Sequence, residues 1–186
     1  DNGKAPLICL HGGPGSTHNY FEVLDNVADE DDRMIVMYDQ IGCGNSYLDG
    51  HPELWNQKVW LDELEALRDH LGLDVCHIIG QSWGGMMQIA YAVDYDPKGV
   101  KSFIISSGHP SSSLWEREGL RRIKMMPQDM QDAINHALET GDFTGEAYDT
   151  AVAEYMDRYC NYWLGEDSEP DFFGLVQHSG ASSPSQ

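Results

Sequence analysis

The stretch CHIIGQSWGGMMQ, residues 76–88, decides the fold of this chain and raises its main chemical question. A short apolar run ends at Gly80, Ser82 stands between Gly80 and Gly84, and an apolar pattern with helical spacing follows at once. The G-x-S-x-G form between a strand and a helix is typical of a serine at the apex of a sharp, strained turn. We therefore predict that Ser82 lies at a strand-turn-helix junction and is a nucleophile; an ordinary turn residue is the alternative.

Similar apolar runs recur upstream and downstream of this stretch. They are PLICL at 6–10, RMIVMY at 33–38, VCHII at 75–79 and VKSFII at 100–105. Each is short and continuously apolar, which is typical of a strand buried on both faces of a parallel sheet. Helical patterns separate the runs, and this alternation predicts an α/β fold: a parallel sheet with right-handed crossovers and helices on both faces.

The helical stretches carry recognisable start and stop signals. Ser16 and Thr17 are cap candidates for the first helix, and Asn56 precedes the second, which stops at Gly72. A stripe at helical spacing predicts the buried face of that second helix: Trp60, Leu64, Leu67 and Leu71. The helix after Ser82 runs until Pro97 ends it.

The character of the sequence changes at about Gly108. From Ser111 onward we find no strand pattern, only helical patterns at roughly 112–125, 127–139 and 145–163. The sequence therefore predicts a partial α/β core at 1–110 and an appended helical layer with a polar tail at 111–186.

The charge balance narrows the possible partners. Eleven Lys and Arg residues stand against 31 Asp and Glu, giving a formal charge of −20. Such a chain repels phosphate backbones and anionic lipid heads, so we expect neither nucleic acid nor membrane as a partner. The same charge mildly favours substrates that carry a positive charge.

The four cysteines are scattered, without CxxC spacing, at Cys9, Cys43, Cys76 and Cys160. Two of them lie in apolar runs that resemble buried strands. We therefore expect reduced thiols and a cytoplasmic setting rather than disulfides.

Three glycine-rich loops follow successive strands, where α/β sheets usually bind ligands. They are HGGPG at 11–15, DQIGCGNS at 39–46 and GQSWGG at 80–85. In the G-x-S-x-G arrangement, one oxyanion amide comes from the residue after the nucleophile, here Trp83, and another from the loop after an earlier strand. HGGPG suits that second role, because its backbone can approach a substrate at Gly12 and Gly13.

HGGPG, YDQIGCGNS and GQSWGG, in this order, resemble the proline iminopeptidases, a family of α/β-hydrolase serine peptidases. The resemblance covers about residues 5–110, and the helices that follow are similar to the start of that family's cap domain. It implies release of an N-terminal residue, often proline, from short peptides through an acyl-enzyme. It implies Ser82 as nucleophile, the amides of Gly13 and Trp83 as oxyanion hole, and neither a cofactor nor a metal ion. Ile41 departs from the family, where many members carry Arg in the DQ-R-G loop.

The other two triad members are harder to place. This fold orders them as Ser, then Asp or Glu, then His, after later strands, and we find no later strand pattern. Asp171 and His178 stand in the right order but only seven residues apart. We therefore expect a chain truncated at both ends and without a complete triad. Another α/β-hydrolase, such as an esterase or amidase acting on small esters or amides, and a non-catalytic hydrolase remnant stay as alternatives.

Several polar residues near the loops have a structural interpretation. We interpret His11, Asp39 and Gln40 as organisers of the loops around the site, and His77 as a hydrogen-bonded core histidine.

Three geometric expectations complete the analysis. The abrupt bend at 11–15 favours a cis Gly13-Pro14 bond, with the Gly13 amide within about 6 Å of the Ser82 oxygen, roughly twice a hydrogen-bond length. Family strand order places 33–38 at one edge of the sheet, then 6–10, then 75–79, with 100–105 at the other edge. Two bare edges invite self-association, unless the remaining strands of a longer chain fill those positions.

Overall fold

Four parallel strands form the sheet of the first of two structural units, in the order β2-β1-β3-β4. In the computed structural model, which describes residues 3–160, this unit ends at Pro110 and the second begins at Ser111. The strands are β1 (Leu7–Leu10), β2 (Ile35–Met37), β3 (Cys76–Gln81) and β4 (Val100–Ser106). The predicted parallel sheet and its strand order are therefore confirmed.

The connections between the strands are helical, as the alternation predicted. A 3₁₀ helix (Asn19–Leu24) leads into α1 (Asp25–Asp31), and α2 (Gln57–Leu71) and α3 (Trp83–Asp94) flank β3. Two short 3₁₀ turns, Gly44–Ser46 and Pro52–Leu54, lie between β2 and α2.

The caps of α2 confirm the signals in the sequence, whereas those of the first helix do not. The side chain of Asn56 accepts a hydrogen bond from the Val59 amide at 3.1 Å, and Gly72 ends α2 with a left-handed φ of 64°. The prediction that Ser16 or Thr17 caps the first helix is wrong. His18 occupies that position without a side-chain cap, because its ring binds Asp39 instead.

Both faces of the sheet carry helices. On one face, Ile8, Leu10 and Ile78 pack with side chains of α2 and α3, and on the other Leu7 and Cys9 pack with Phe21. The prediction of strands buried on both faces holds for β1, whose four residues are all buried. It is wrong for the edge strands: β2 is half-buried, and in β4 Ile104 is 46% and Ile105 49% exposed.

The buried face of α2 differs from the predicted stripe. Trp60 and Leu64 are buried, but Leu71 is 46% exposed, and the buried position one turn after Leu64 belongs to Arg68. Its guanidinium donates to the Tyr91 hydroxyl at 2.6 Å and to the Lys98 carbonyl at 2.8 Å. These two bonds offset part of the cost of burying the cation, and hydrophobic periodicity does not detect them.

The second unit contains three helices in its described part: α4 (Ser112–Ile123), α5 (Gln128–Thr140) and α6 (Glu146–Tyr159). Met126, Ile134 and Ala151 form its buried core, and Tyr155 and Tyr159 pack against them. The predicted helices are present. The described part of α6 ends at Tyr159, and residues 161–163 of the predicted range lie outside the described residues. In the part that the structure describes, no helix is long and apolar enough to cross a membrane.

Candidate active site

Ser82 stands alone between the end of β3 and the first residue of α3, in a backbone conformation that few residues adopt. Its φ of 52° and ψ of −115° lie outside the favoured regions for a residue with a side chain. The predicted strained turn is thus confirmed. Because Ser82 precedes the first turn of α3, the Trp83 amide belongs to the helix N-terminal amides that lack an intrahelical partner, where negative charge is favoured.

Close contact between the turn and β1 explains the glycines. A Cβ added to Gly84 would lie 1.9 Å from the carbonyl oxygen of Leu10, and one added to Gly80 would lie 2.2 Å from the carbonyl oxygen of Gly84. Neither distance is sterically possible, so a side chain at either position would force the backbone apart. The Ser82 amide donates to the Ser106 carbonyl at 2.8 Å, which holds the turn to the end of β4.

His11 holds the HGGPG loop through both of its ring nitrogens. Nε2 accepts from the Gln40 amide at 2.9 Å, so Nδ1 carries the ring proton and donates to the Gly12 carbonyl, also at 2.9 Å. The ring is fully buried, and burial lowers the pKa of His11, which keeps it neutral. With both nitrogens engaged, this geometry fits a loop organiser better than a general base.

The bond from His11 also orients the Gly13 amide. The Gly12 carbonyl and the Gly13 N–H belong to one peptide plane and point in opposite directions. Fixing the carbonyl against the buried ring therefore directs the Gly13 N–H away from it. Gly13 has a φ of 118°, and the Gly13-Pro14 bond is cis, as predicted.

Gln40 links the HGGPG loop to the residue after Ser82. Its side-chain nitrogen donates to the His11 carbonyl at 2.9 Å, and its side-chain oxygen accepts from the Trp83 indole nitrogen at 3.2 Å. Gln40 is buried, so the bond to the His11 carbonyl is shielded from water, whereas the bond from Trp83 is partly buried. One side chain thus joins all three glycine-rich loops, since it belongs to the second and binds the first and third.

Asp39 is hydrogen-bonded to the neighbouring turns. One carboxylate oxygen accepts from the His18 amide at 3.0 Å and lies 2.7 Å from His18 Nδ1, and the other accepts from the Asn45 amide at 2.9 Å. Burial by itself would raise the pKa of Asp39, but these hydrogen bonds outweigh burial and lower it. The carboxylate is therefore ionised and committed to the loops.

Ile41, where relatives with the DQ-R-G motif carry Arg, is held by its backbone. Its amide donates to the Glu63 carboxylate at 3.1 Å, and its carbonyl accepts from the Trp60 indole nitrogen at 3.2 Å. Burial raises the pKa of Glu63, and the bond from Ile41 opposes that rise. The sequence analysis did not single out Glu63, because an acidic residue in an amphipathic helix resembles a solvated one.

Tyr20 and Gln81 were also missed. The Tyr20 hydroxyl accepts from the Gly12 amide at 2.6 Å and lies 3.0 Å from the side-chain oxygen of Gln81. This contact engages the Gly12 amide. No signal in the sequence marks Tyr20, which lies in a helical pattern 61 positions before Gln81.

Three histidine rings near the sheet are bonded to groups other than Ser82. His11, His18 and His77 bind Gly12, Asp39 and Ser102, and the His77 contact of 2.7 Å agrees with its interpretation as a satisfied histidine, although it is only half-buried. Asp171 and His178 lie outside the described residues. Within residues 3–160 no cluster of His, Cys, Asp and Glu has the arrangement of a metal site.

Comparison with known proteins agrees with this geometry. The model of a family described as alpha/beta hydrolase fold matches residues 5–162. A proline iminopeptidase of Clostridium botulinum is 57% identical over 165 residues, covering 89% of this chain and 56% of the relative. One from Clostridioides difficile is 52% identical over 181 residues, covering 97% and 61%. The predicted resemblance is confirmed, and the chain spans a little over half the length of these relatives.

Solved structures show the same likeness. The crystal structure of a proline iminopeptidase from Mycobacterium smegmatis superposes with a TM-score of 0.76 at 35% identity, covering 92% of this chain and 57% of the other. The structure of VinJ gives 0.75 at 27% identity, covering 100% and 65%. Fold, strained serine turn and family match agree, and the chain belongs to the α/β-hydrolase family.

Proposed function

We propose that this chain carries the nucleophile and oxyanion hole of a serine aminopeptidase that releases N-terminal proline, or another residue, from short peptides. The strained conformation of Ser82 at the start of α3 carries the proposal. It is supported by relatives named proline iminopeptidase that are 57% and 52% identical.

In the proposed reaction the Ser82 hydroxyl attacks the carbonyl carbon of the first residue of the peptide. The negative charge that develops on the carbonyl oxygen is stabilised by the amides of Gly13 and Trp83. The rest of the peptide leaves with a proton on its new amino group, and water then hydrolyses the acyl-enzyme. The fold's chain order places the acid and the histidine that move these protons after Ser82. The distance from the Gly13 amide to the Ser82 oxygen stays a prediction.

The same proposal covers the residues around the site, the second unit and the location of the protein. His11, Asp39 and Gln40 are loop organisers, and the helices from Ser111 onward, within 111–186, are part of a cap. A cytoplasmic location is supported by four free cysteines, three of them buried. We also propose that the exposed sheet edges mediate self-association of the 186-residue chain unless other strands cover them.

The first prediction tests the nucleophile, using the product of the complete reading frame in which this sequence lies. Ser82→Ala should lower turnover of proline 2-naphthylamide by at least about 10⁴-fold, because removing a serine nucleophile leaves only binding and oxyanion stabilisation. Release of naphthylamine measures the rate. Ser113→Ala, an exposed serine in α4, is the matched control and should keep the wild-type rate.

The same preparations separate the alternatives. Turnover of p-nitrophenyl acetate without release of proline would favour an esterase. A folded protein in which a fluorophosphonate fails to label Ser82 would favour a non-catalytic remnant and would contradict the proposal.

A further inference from the structure

The Gly12 amide, the Tyr20 hydroxyl and the Gln81 side chain form a chain of hydrogen bonds that ends on the residue directly before Ser82. The Gly12 N–H donates to the Tyr20 oxygen at 2.6 Å. Since the hydroxyl has one proton and its oxygen accepts from Gly12, that proton is donated to the Gln81 oxygen at 3.0 Å. The two hydrogen bonds therefore run in a single direction, from the HGGPG loop to the serine turn.

The surroundings of Tyr20 hold its hydroxyl in place. Its ring stacks on Phe21 with a centroid distance of 4.7 Å, and Phe21 is 5% exposed within the core of the sheet. Burial raises the pKa of Tyr20, which keeps the hydroxyl protonated and able to donate. A partly buried, stacked phenol is more rigid than an exposed one.

Gly12 is in direct contact with the serine turn. A Cβ added to Gly12 would lie 2.5 Å from the Gln81 side-chain oxygen and 3.3 Å from the Ser82 Cβ. The peptide plane before Gly12 is fixed by Tyr20, and the plane after it, which carries the Gly13 N–H, is fixed by His11. Without either bond, Gly12 has no side chain to restrict its rotation.

We propose that Tyr20 is a positioning residue for the oxyanion hole, fixing the Gly12–Gly13 backbone at a set distance from Ser82 through Gln81. Tyr20 touches neither substrate nor the reacting atoms in this assignment. It complements Gln40, which joins the same loop to Trp83 on the other side of the serine. The two residues that flank Ser82 are thus each tied to the loop that carries the Gly13 amide. The proposal rests on the proposed function, since an oxyanion hole matters only if Ser82 acylates.

The test compares Tyr20→Phe with wild type in the product of the complete reading frame. Loss of the hydroxyl keeps the ring stacking but frees the Gly12 plane, and small misplacement of catalytic groups costs up to about 100-fold in rate. We expect kcat on proline 2-naphthylamide to fall about 10- to 100-fold with KM changed less than about twofold, because an oxyanion stabilises the transition state more than bound substrate. Tyr95→Phe, which removes a hydroxyl bonded to Asp62 on the surface, is the matched control and should retain wild-type kcat.

A second variant separates positioning from a general loss of stability. Gln81→Met breaks the other link of the same chain, so the double variant with Tyr20→Phe should lose no more activity than either single variant. If the activity losses of the two single variants multiply in the double variant, the proposal is overturned. An unchanged kcat in Tyr20→Phe would also overturn it. So would a fall in kcat that is accompanied by a comparable rise in KM and a lower melting temperature.

Hydrogen exchange distinguishes failure of this inference from failure of the proposed function. In Tyr20→Phe the Gly12 amide should exchange at least about tenfold faster, while the amides of β1 keep their protection. If wild type shows no Ser82-dependent turnover, the proposed function fails. The exchange rate still shows whether Tyr20 fixes the Gly12 amide. An unchanged Gly12 exchange rate would overturn the positioning role of Tyr20.

Discussion

At the scale of single residues, the serine turn requires a glycine at position 84, where a Cβ atom would not fit. Gly84 is the second residue of α3 and does not have a positive φ, so glycine is not needed there for a left-handed backbone. It is needed because the turn lies directly against β1, with the Leu10 carbonyl where a Cβ would be. Gly119, in the middle of α4, has room for a side chain. The nearest atom to an added Cβ is the Tyr155 hydroxyl at 3.8 Å.

These two glycines give a matched pair of substitutions. Gly84→Ala should lower the free energy of unfolding by about 3 kcal/mol or more, because the clash is with backbone that cannot move aside. Gly119→Ala should raise it by about 0.5–1 kcal/mol, since alanine loses less conformational freedom in a helix. Urea denaturation followed by circular dichroism measures both, and equal effects of the two substitutions would contradict this account.

At the scale of elements, the edge strand β4 differs from the strands inside the sheet. It pairs with β3 along one side, and within the described residues it has no second neighbouring strand. Its Ile104 and Ile105 are about half exposed, at 46% and 49%. Unpaired backbone groups beside apolar side chains favour pairing with another chain.

We therefore expect the 186-residue chain to self-associate, with an apparent mass in light scattering above the monomer value of 20.8 kDa. Ile104→Lys should weaken association at least about tenfold, because a charge on an edge strand opposes strand pairing. Val93→Lys adds the same charge at a 75% exposed position in α3 and should not weaken it. A wild-type chain that is monomeric at 1 mM would refute the edge proposal. This concentration is the upper end of the range, about μM–mM, in which chains with exposed strand edges aggregate.

At the scale of the whole molecule, the net charge of −20 acts over distances longer than any single contact. Acidic residues outnumber basic ones by 31 to 11, so the surrounding potential attracts cations and repels anions. This field changes the rate at which charged peptides arrive and has little influence on the fold.

A comparison of dipeptides tests the effect of this field on catalysis. In the product of the complete reading frame, the ratio of kcat/KM for Pro-Arg over Pro-Glu should exceed one at 10 mM NaCl and fall several-fold at 150 mM, because the screening length shortens from about 30 Å to about 8 Å. Release of proline measures the rates, and Pro-Ala is the neutral control. A ratio that does not respond to salt would show that local contacts, and not the net charge, decide between these substrates.

The resemblance to a known family supplied the order of the strands. The sequence by itself determined the class of fold and the turn at Ser82. These two features are encoded locally: apolar runs of strand length and helix ends at Asn56 and Gly72 express backbone preferences of neighbouring residues, and G-x-S-x-G is a short motif. Ordered motifs also identified the family, because three glycine-rich loops in sequence are specific.

Only the tertiary structure decided which side chains hold the loops together. Tyr20 and Gln81 meet across 61 positions, and the buried Arg68 guanidinium donates to the Tyr91 hydroxyl and the Lys98 carbonyl. Periodicity records whether a position is apolar, and it contains no information about a polar partner far along the chain. The half-exposed β4 was mistaken for a fully buried strand for the same reason: burial depends on which neighbours cover a strand, and apolar character alone does not reveal them.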